Sequence, residues 1–120
     1  MGFDGSGLTF HDCVRDDEQA RAGFFALAKK VFGLDFARWH ALGWWGDGYI
    51  PHALYDGDRA VSNVSANIIR TRLRGVEKRF IQLGTVMTDP DYRGLGLAKR
   101  LMETVLEKYA PACDGMYLYA

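Results

Sequence analysis

The sequence predicts an α+β domain in which a mixed, mostly antiparallel sheet is flanked by helices. Two segments with helical spacing of apolar residues lie near the start and near the end of the 120-residue chain. Between them, three extended segments are separated by short glycine-containing turns, which is typical of an antiparallel meander. The predicted order of elements is therefore strand, helix, helix, three strands, helix and strand.

The N-terminal half is predicted to hold one strand and two helices. Residues 1–7 are rich in glycine and are expected to form a flexible leader, with a single domain over residues 8–120. The segment LTFHDCV alternates apolar and polar residues, as a short strand does. Between Asp16 and Phe32, apolar residues recur at helical spacing behind an acidic start, and Gly33 marks the end of that helix. The segment LDFARWHALGWW predicts a second short helix or turn.

The C-terminal half is predicted to hold three paired strands, a helix and a last strand. The Asp-Gly-Asp sequence at 56–58 predicts a hairpin, and Gly75 predicts the next turn. From Leu97 to Tyr109, apolar residues return to one helical face among strong helix formers. The segment DGMYLYA predicts the final strand.

Length, composition and charge limit the classes of function. The chain has 48% apolar and 25% charged residues, which suits one soluble domain with a single core. Fifteen basic and fifteen acidic residues give no net charge, so no overall field favours nucleic acid or an anionic membrane. No apolar segment approaches the roughly 20 residues of a membrane span, and the N-terminus lacks the regions of a signal peptide. We expect a cytoplasmic protein with neither nucleic-acid nor membrane partners.

The cysteines and histidines do not predict a metal site or a disulfide. Cys13 and Cys113 are far apart and without ligand spacing, so both are predicted to be buried structural thiols rather than nucleophiles. The three histidines also lack ligand spacing, and among them His52 is the one we would test as a general base. A basic alternation at Arg70, Arg72 and Arg74 is predicted to be a solvated hairpin face rather than a binding surface.

The segment that predicts chemistry is the glycine-containing turn between a strand and the last long helix. The first amides of a helix lack internal partners, and Gly94 and Gly96 would let them converge on a phosphate beside Lys99 and Arg100. The turn does not end in Gly-Lys-Ser or Gly-Lys-Thr, and it lacks the third glycine and the early βαβ unit of a dinucleotide fold. A purely structural turn remains an alternative at this point.

The sequence Arg93-Gly94-Leu95-Gly96-Leu97-Ala98 resembles the Gln/Arg-x-x-Gly-x-Gly/Ala signature of the GNAT superfamily of acyl-CoA-dependent N-acyltransferases. The flanks in GTVMTDPDYRGLGLAKRLM resemble that family's strand, Asp-Pro turn, phosphate loop and helix, and the element order is similar from Leu8 to Tyr119. The resemblance implies the N-terminal portion of the GNAT fold, with the order β-α-α-β-β-β-α-β.

The resemblance also implies a role for each matched residue. Acetyl-CoA would be the co-substrate, with its arm along the backbone of Val86, Met87 and Thr88 and with the Val86 amide stabilising the acyl carbonyl. Its pyrophosphate would contact the loop of residues 93–99, which are Arg93, Gly94, Leu95, Gly96, Leu97, Ala98 and Lys99. The acceptor would be a primary amine on a small molecule or peptide. No acidic residue lies in FIQLGTVM, where some relatives place a base, so the catalytic base and acid stay unassigned.

Family members normally continue past the last strand with a helix, which often carries a tyrosine acid, and two more strands. The resemblance therefore implies a domain that is incomplete at its C-terminus, a fragment or half of a swapped assembly, completed by a second copy or by a further segment. Tyr117 and Tyr119 lie on the strand and do not match the acid's position. The aromatic residues Trp39, Trp44, Trp45 and Tyr49 either form core or wall an acceptor site.

The function predicted from these residues is N-acetyl transfer from acetyl-CoA to a primary amine, by direct attack in a ternary complex. Such a reaction needs no covalent enzyme intermediate and no metal. A non-catalytic acyl-CoA-binding or interaction module is the alternative, because the helix that often carries the acid is not matched.

Overall fold

A computed structural model describes residues 7–118 and contains one five-stranded sheet in the order β1-β2-β3-β4-β5. Its strands are β1 Thr9–His11, β2 Tyr49–Asp56, β3 Arg59–Leu73, β4 Val76–Thr88 and β5 Gly115–Leu118. The first four strands pair antiparallel and β5 runs parallel to β4. The predicted fold class and element order are confirmed. The expected leader and Tyr119 lie outside the described residues, apart from Gly7.

Helix α1 covers one face of the sheet, and a capping residue lies at each of its ends. It spans Glu18–Phe32, the Asp17 carboxylate accepts a hydrogen bond from the Ala20 amide, and Gly33 ends the helix with a left-handed φ of 69°. Helix α2, Phe36–Ala41, follows and is capped by Asp35. Phe24 and neighbouring aromatic rings fill the space between these helices and the sheet.

Helix α3, Leu97–Tyr109, covers the opposite face of the sheet. Leu101 and Val105 are buried there against β-strand residues that include Val64 and Ile81. Because β4 lies in the sheet and α3 lies on its face, the connection between them must cross the end of the sheet. That connection contains the glycine loop predicted from the sequence.

The β3–β4 hairpin extends beyond the rest of the sheet. It turns at Arg74 and Gly75, both of which have positive φ, 51° and 80°, as a two-residue hairpin turn requires. Arg70 and Arg72 lie on β3 and are exposed, so the predicted solvated face is present. Arg74 lies in the turn and not on the strand, and the alternation therefore stops at Arg72.

Strand β4 contains a bulge near its C-terminal end. Asn63 pairs with Met87 and Ser65 pairs with Gly84, so two residues of β4, Thr85 and Val86, span one residue of β3. Thr85 takes a φ of 52°, which is unusual for a β-branched side chain. Within the described residues, the pairing of β4 with β5 reaches only Leu83, just before this bulge.

The structure corrects one of the two cysteine predictions. Cys13 is exposed, since β1 ends at His11 and places the residue in the following turn. Cys113 is half-buried, and both cysteines are free thiols.

The four aromatic residues that were predicted to form either core or the wall of an acceptor site differ in burial. Trp45 is buried, Trp39 and Tyr49 are half-buried, and the side chain of Trp44 is 67% exposed. Among residues 7–118, no helix is both long and apolar enough to cross a membrane.

Candidate functional site

The glycine loop positions the N-terminus of α3 as an open anion site. Gly94 and Gly96 adopt left-handed φ angles of 81° and 72°, and Gly96 is the N-cap, with no side-chain cap hydrogen bond. The first hydrogen bond in the helix runs from the Arg100 amide to the Gly96 carbonyl, at 3.0 Å. The amides of Leu97 and Ala98 precede that bond and have no acceptor inside the helix. They lie at the positive end of the helix dipole.

A depression of ≈ 200 Å³ lies at this helix end. Its lining includes seven residues predicted to contact acetyl-CoA: Thr88, Arg93, Gly94, Gly96, Leu97, Ala98 and Lys99. The other three predicted residues do not line it. Met87 is buried on the side of α1, while Val86 and Leu95 pack toward α3. Their proposed contacts involve the backbone, so they remain predictions.

Both glycines of the loop face open space. A Cβ atom built on Gly94 or Gly96 would meet no protein atom within 4 Å. The protein itself therefore does not fill this space, and the left-handed φ explains why glycine is needed there. The side chains of Arg93 and Lys99 are exposed beside the depression and add positive charge to it.

A buried carboxylate fixes the turn that precedes the loop. Asp89 is 2% exposed and accepts hydrogen bonds from Lys30 Nζ at 3.0 Å and from Arg59 Nη2 at 2.7 Å. It also caps the 3₁₀ turn Pro90–Tyr92 by accepting a bond from the Asp91 amide, at 2.9 Å. Burial alone would raise the pKa of the Asp89 carboxyl, but the bonds from Asp91, Lys30 and Arg59 outweigh it and lower that pKa.

A second contact holds the other side of the same turn. The Tyr92 hydroxyl donates to Asp56 Oδ2 at 2.6 Å, and the Arg59 guanidinium lies 5.1 Å from the centroid of the Tyr92 ring. The sequence analysis did not identify these anchors. The Asp-Pro pair predicted a turn, but the residues that hold this turn lie on α1, β2 and β3, which are distant in the chain.

His52 is not placed to act as a general base. It is fully buried toward α3, with Nε2 3.1 Å from the Tyr109 hydroxyl and Nδ1 3.2 Å from the Val64 carbonyl oxygen. Burial, assisted by the nearby Lys108 ammonium, lowers the pKa of His52 to about 4. The side chain is therefore a neutral, structural part of the core.

A polar cluster lies on the α1 face of the sheet beside the β4 bulge. Asn63 Nδ2 donates to Ser65 Oγ at 2.9 Å and to the Thr85 carbonyl oxygen at 2.9 Å. Ser65 Oγ donates in turn to the Tyr49 hydroxyl, at 2.9 Å. We call these four residues the Tyr49 network. Asn63 and Ser65 lie on β3, whereas Tyr49 lies on β2 and Thr85 lies in the bulge of β4, so no local sequence pattern identified the network.

Another depression, of ≈ 270 Å³, lies at the free edge of β2 beyond the end of β1. Its lining includes three aspartates, but each is already paired. Asp12 contacts Lys108, and Asp16 and Asp47 contact Arg15. Since these carboxylates already have basic partners, the glycine loop is the better candidate for a charged ligand.

Comparisons with known proteins show the family of the chain and support its fold. A family model described as an acetyltransferase (GNAT) domain matches residues 17–118. No curated protein sequence matches the chain significantly.

Solved structures with the same fold include three acetyltransferases. An acetyltransferase from Trypanosoma brucei is 20% identical with a TM-score of 0.70, over 94% of this chain and 82% of that chain. The glucosamine-6-phosphate N-acetyltransferase from Arabidopsis thaliana is 18% identical with a TM-score of 0.71, and the match covers 96% of this chain and 83% of that chain. An aminoglycoside acetyltransferase from an uncultured soil metagenomic sample is 12% identical with a TM-score of 0.75, and the match covers 94% of this chain and 77% of that chain. At these identities the likeness shows the fold alone.

Proposed function

The chain belongs to the GNAT acetyltransferase domain family, and from this premise we propose that it transfers an acetyl group from acetyl-CoA to a primary amine, by direct attack in a ternary complex. The observation that carries the proposal is the glycine loop. There the unpartnered amides at the start of α3 face a ≈ 200 Å³ depression beside the exposed Lys99.

The residues of the loop suit a pyrophosphate group. Phosphate oxygens accept hydrogen bonds from backbone amides and are attracted to the positive end of a helix dipole. Gly94 and Gly96 leave the approach free of side-chain atoms, and Arg93 and Lys99 supply local cations in a chain with no net charge. Asp89 fixes the turn from which the loop begins.

Each part of the site has a separate task in the proposed reaction. Acetyl-CoA supplies an activated acetyl thioester. The backbone of Val86, Met87 and Thr88 would orient its arm, and the Val86 amide would donate to the acyl oxygen as negative charge develops there. An alkyl amine has a pKa of about 10.4, so the protein must admit it in neutral form or provide a path for its proton.

Small-molecule amines are the first acceptors to test. Two of the structural relatives are named for glucosamine-6-phosphate and for aminoglycosides, both of which are amino sugars or contain them. The half-buried rings of Trp39 and Tyr49 lie on the α1 face and offer an apolar surface for the body of such a molecule.

The test is a calorimetric titration of the protein with acetyl-CoA, with adenosine as the control that lacks phosphates. Binding that requires the phosphates is expected, followed by measurable transfer to members of an amine panel. Binding without transfer to any amine would instead support a non-catalytic acyl-CoA-binding module. A folded protein that binds no acetyl-CoA would contradict both functions.

A further inference from the structure

The end of the β3–β4 hairpin is a two-stranded ribbon. We call residues 70–79, RTRLRGVEKR, the arm. Strand β2 accompanies β3 only as far as Ile68, whose amide donates to the Gly48 carbonyl oxygen at 2.7 Å. On the other side, the described pairing of β5 with β4 begins at Phe80. The arm therefore extends beyond both neighbouring strands, at the opposite end of β4 from the glycine loop.

The arm concentrates positive charge in a chain that has no net charge. Five of the fifteen basic residues lie in its ten positions, together with one of the fifteen acidic residues. The rest of the chain therefore carries more acidic than basic residues. Within residues 7–118, none of the basic side chains of the arm forms an ion pair. These side chains are Arg70, Arg72, Arg74, Lys78 and Arg79.

The α3 side of the arm is basic. Residues that pair across two antiparallel strands share a face, and successive pairs alternate between the two faces. Ile81 pairs with Ile68 and is buried toward α3. Two positions further along β3, Arg70 pairs with Arg79 and therefore lies on the same side, followed by Arg72. Like charges directly opposite each other destabilise a hairpin, so the stability of the arm does not explain this pair.

The α1 side of the arm is apolar and partly exposed. Leu73 pairs with Val76 next to the turn, and their side chains are 59% and 55% exposed. Ile69 and Phe80 form the other apolar pair on this side and are half-buried. None of the four is part of the hydrophobic cores that the structure describes. Covering such a row removes apolar surface from water and favours association with a partner.

The β3 edge of the arm has backbone groups without a strand beside them. Backbone groups of an antiparallel strand point alternately to its two edges. The Ile68 amide points toward Gly48, so the amides and carbonyls of Arg70 and Arg72 point to the same edge. This part of the edge lies beyond Tyr49, where β2 begins, and within the described chain it pairs with no strand.

The β4 edge of the arm is less suitable for a partner. Asp114 contacts the Arg79 backbone twice, because its amide donates to the Arg79 carbonyl oxygen and its carboxylate accepts from the Arg79 amide, both at 2.7 Å. The next residue of β4 whose backbone points to this edge is Glu77, whose charge repels an acidic partner.

We propose that the β3 edge of the arm binds an extended segment of a partner protein in which acidic and apolar residues alternate. A strand added at this edge presents successive side chains to opposite faces. Its acidic residues lie beside Arg70 and Arg72 on the α3 side, where each guanidinium can donate two parallel hydrogen bonds to a carboxylate. Its apolar residues lie beside Ile69 and Leu73 on the α1 side. This surface is separate from the proposed acetyltransferase site.

The arm favours a polypeptide over nucleic acid or an anionic membrane. Phosphates of a nucleic acid or of lipid head groups can pair with the arginines, but they do not form a strand at the unpaired edge. Both also continue beyond an arm of ten residues and would meet the rest of the chain, in which acidic residues outnumber basic ones. A short acidic segment contacts only the arm.

The first experiment measures the binding of defined peptides to the 120-residue protein by fluorescence anisotropy. The probe is a labelled peptide of about eight residues in which glutamate and valine alternate. One control peptide has the same composition with all glutamates before all valines, and the other has lysine in place of glutamate. We expect the alternating acidic peptide to bind at least about tenfold more tightly than either control, and more weakly as the salt concentration rises.

Two outcomes of this experiment would overturn the proposal. No binding of the alternating acidic peptide would show that the arginines only protect a free edge from pairing. Equal binding of the peptide with separate blocks of glutamate and valine would show that no strand is formed.

The second experiment uses variants to locate the binding. In Arg70→Gln/Arg72→Gln, the Kd for the alternating acidic peptide should rise at least about tenfold. Lys29→Gln/Arg38→Gln is the matched control, because it removes two positive charges from exposed positions on α1 and α2. Its Kd should change by less than about twofold. Equal losses in the two variants would overturn the proposal, because the attraction would then depend on net charge alone.

NMR of the unmodified protein provides a check that needs no variant. The alternating acidic peptide should shift the backbone amide signals of Arg70 and Arg72 and slow their exchange with solvent. Shifts confined to residues outside the arm would contradict the proposal. A single-stranded oligonucleotide and phosphatidylserine vesicles are tested in parallel. Tighter binding of either at the same amides would assign the arm to that partner and would overturn the choice of a polypeptide.

Discussion

Lys30 Nζ lies 3.0 Å from Asp89 Oδ1, which joins the last turn of α1 to the residue that begins the turn before the glycine loop. Arg59, at the start of β3, contacts the other carboxylate oxygen at 2.7 Å. One buried carboxylate therefore fixes a helix, a strand and the loop in a common geometry. The position of the proposed phosphate site depends on residues that never touch the ligand.

Asp89→Asn should destabilise the protein, because an amide cannot form the same charge-assisted bonds with two cations. We expect the free energy of unfolding to fall by about 2 kcal/mol, measured by urea denaturation at neutral pH. Asp91→Asn is the matched control, since Asp91 contacts the same cations but its side chain is 69% exposed. The loss there should be clearly smaller. Equal losses in the two variants would contradict the central role of Asp89.

The stability of the fold should fall in mild acid because of His52. Its pKa is lowered from 6.5 to about 4 in the folded state, chiefly by burial and then by Lys108. The unfolded chain therefore binds the proton first. The contribution of neutral His52 is fully present above about pH 6.5 and is lost as the pH falls toward 4, by about 3 kcal/mol at most.

Urea denaturation of the wild type and of His52→Gln between pH 7 and pH 4.5 measures this effect. The variant should be less stable at pH 7, because it loses the bond to Tyr109, but its stability should depend less on pH. Identical slopes for the two proteins would contradict the prediction. An NMR titration of the His52 ring provides a direct check, and a midpoint near 6.5 would also contradict it.

The parts of the fold that the sequence predicts are those governed by neighbours in the chain. Gly33, Gly75 and the glycine loop have local conformational requirements, so their positions follow from residue type. The carboxylate of Asp89 contacts residues 59 and 30 positions away, and such pairs leave no local pattern. The bulge at Thr85 could not be predicted either, because the segment GTVM has the composition of an ordinary strand.

Ala98→Glu tests the loop without weakening the helix. Ala98 is the second residue of α3 and lines the depression, and a glutamate at a helix N-terminus is favoured by the dipole. Its carboxylate would nevertheless repel phosphate and occupy part of the space. We expect the Kd for acetyl-CoA to rise at least tenfold, about 1.4 kcal/mol, measured by calorimetry. Thr104→Glu adds the same charge at an exposed position of the same helix and should leave Kd nearly unchanged. Unaltered binding by Ala98→Glu would contradict the phosphate site.

Thr85→Asn tests whether the bulge in β4 stores backbone strain, since Thr85 has a φ of 52°. Asparagine tolerates a left-handed φ better than a β-branched residue does, so the variant should be more stable than the wild type by about 1 kcal/mol. Thr71→Asn, at an exposed position of β3 with an ordinary strand backbone, should be slightly less stable. Urea denaturation at neutral pH would measure both variants. A Thr85→Asn variant that is less stable than wild type would show that the bulge is not a site of strain.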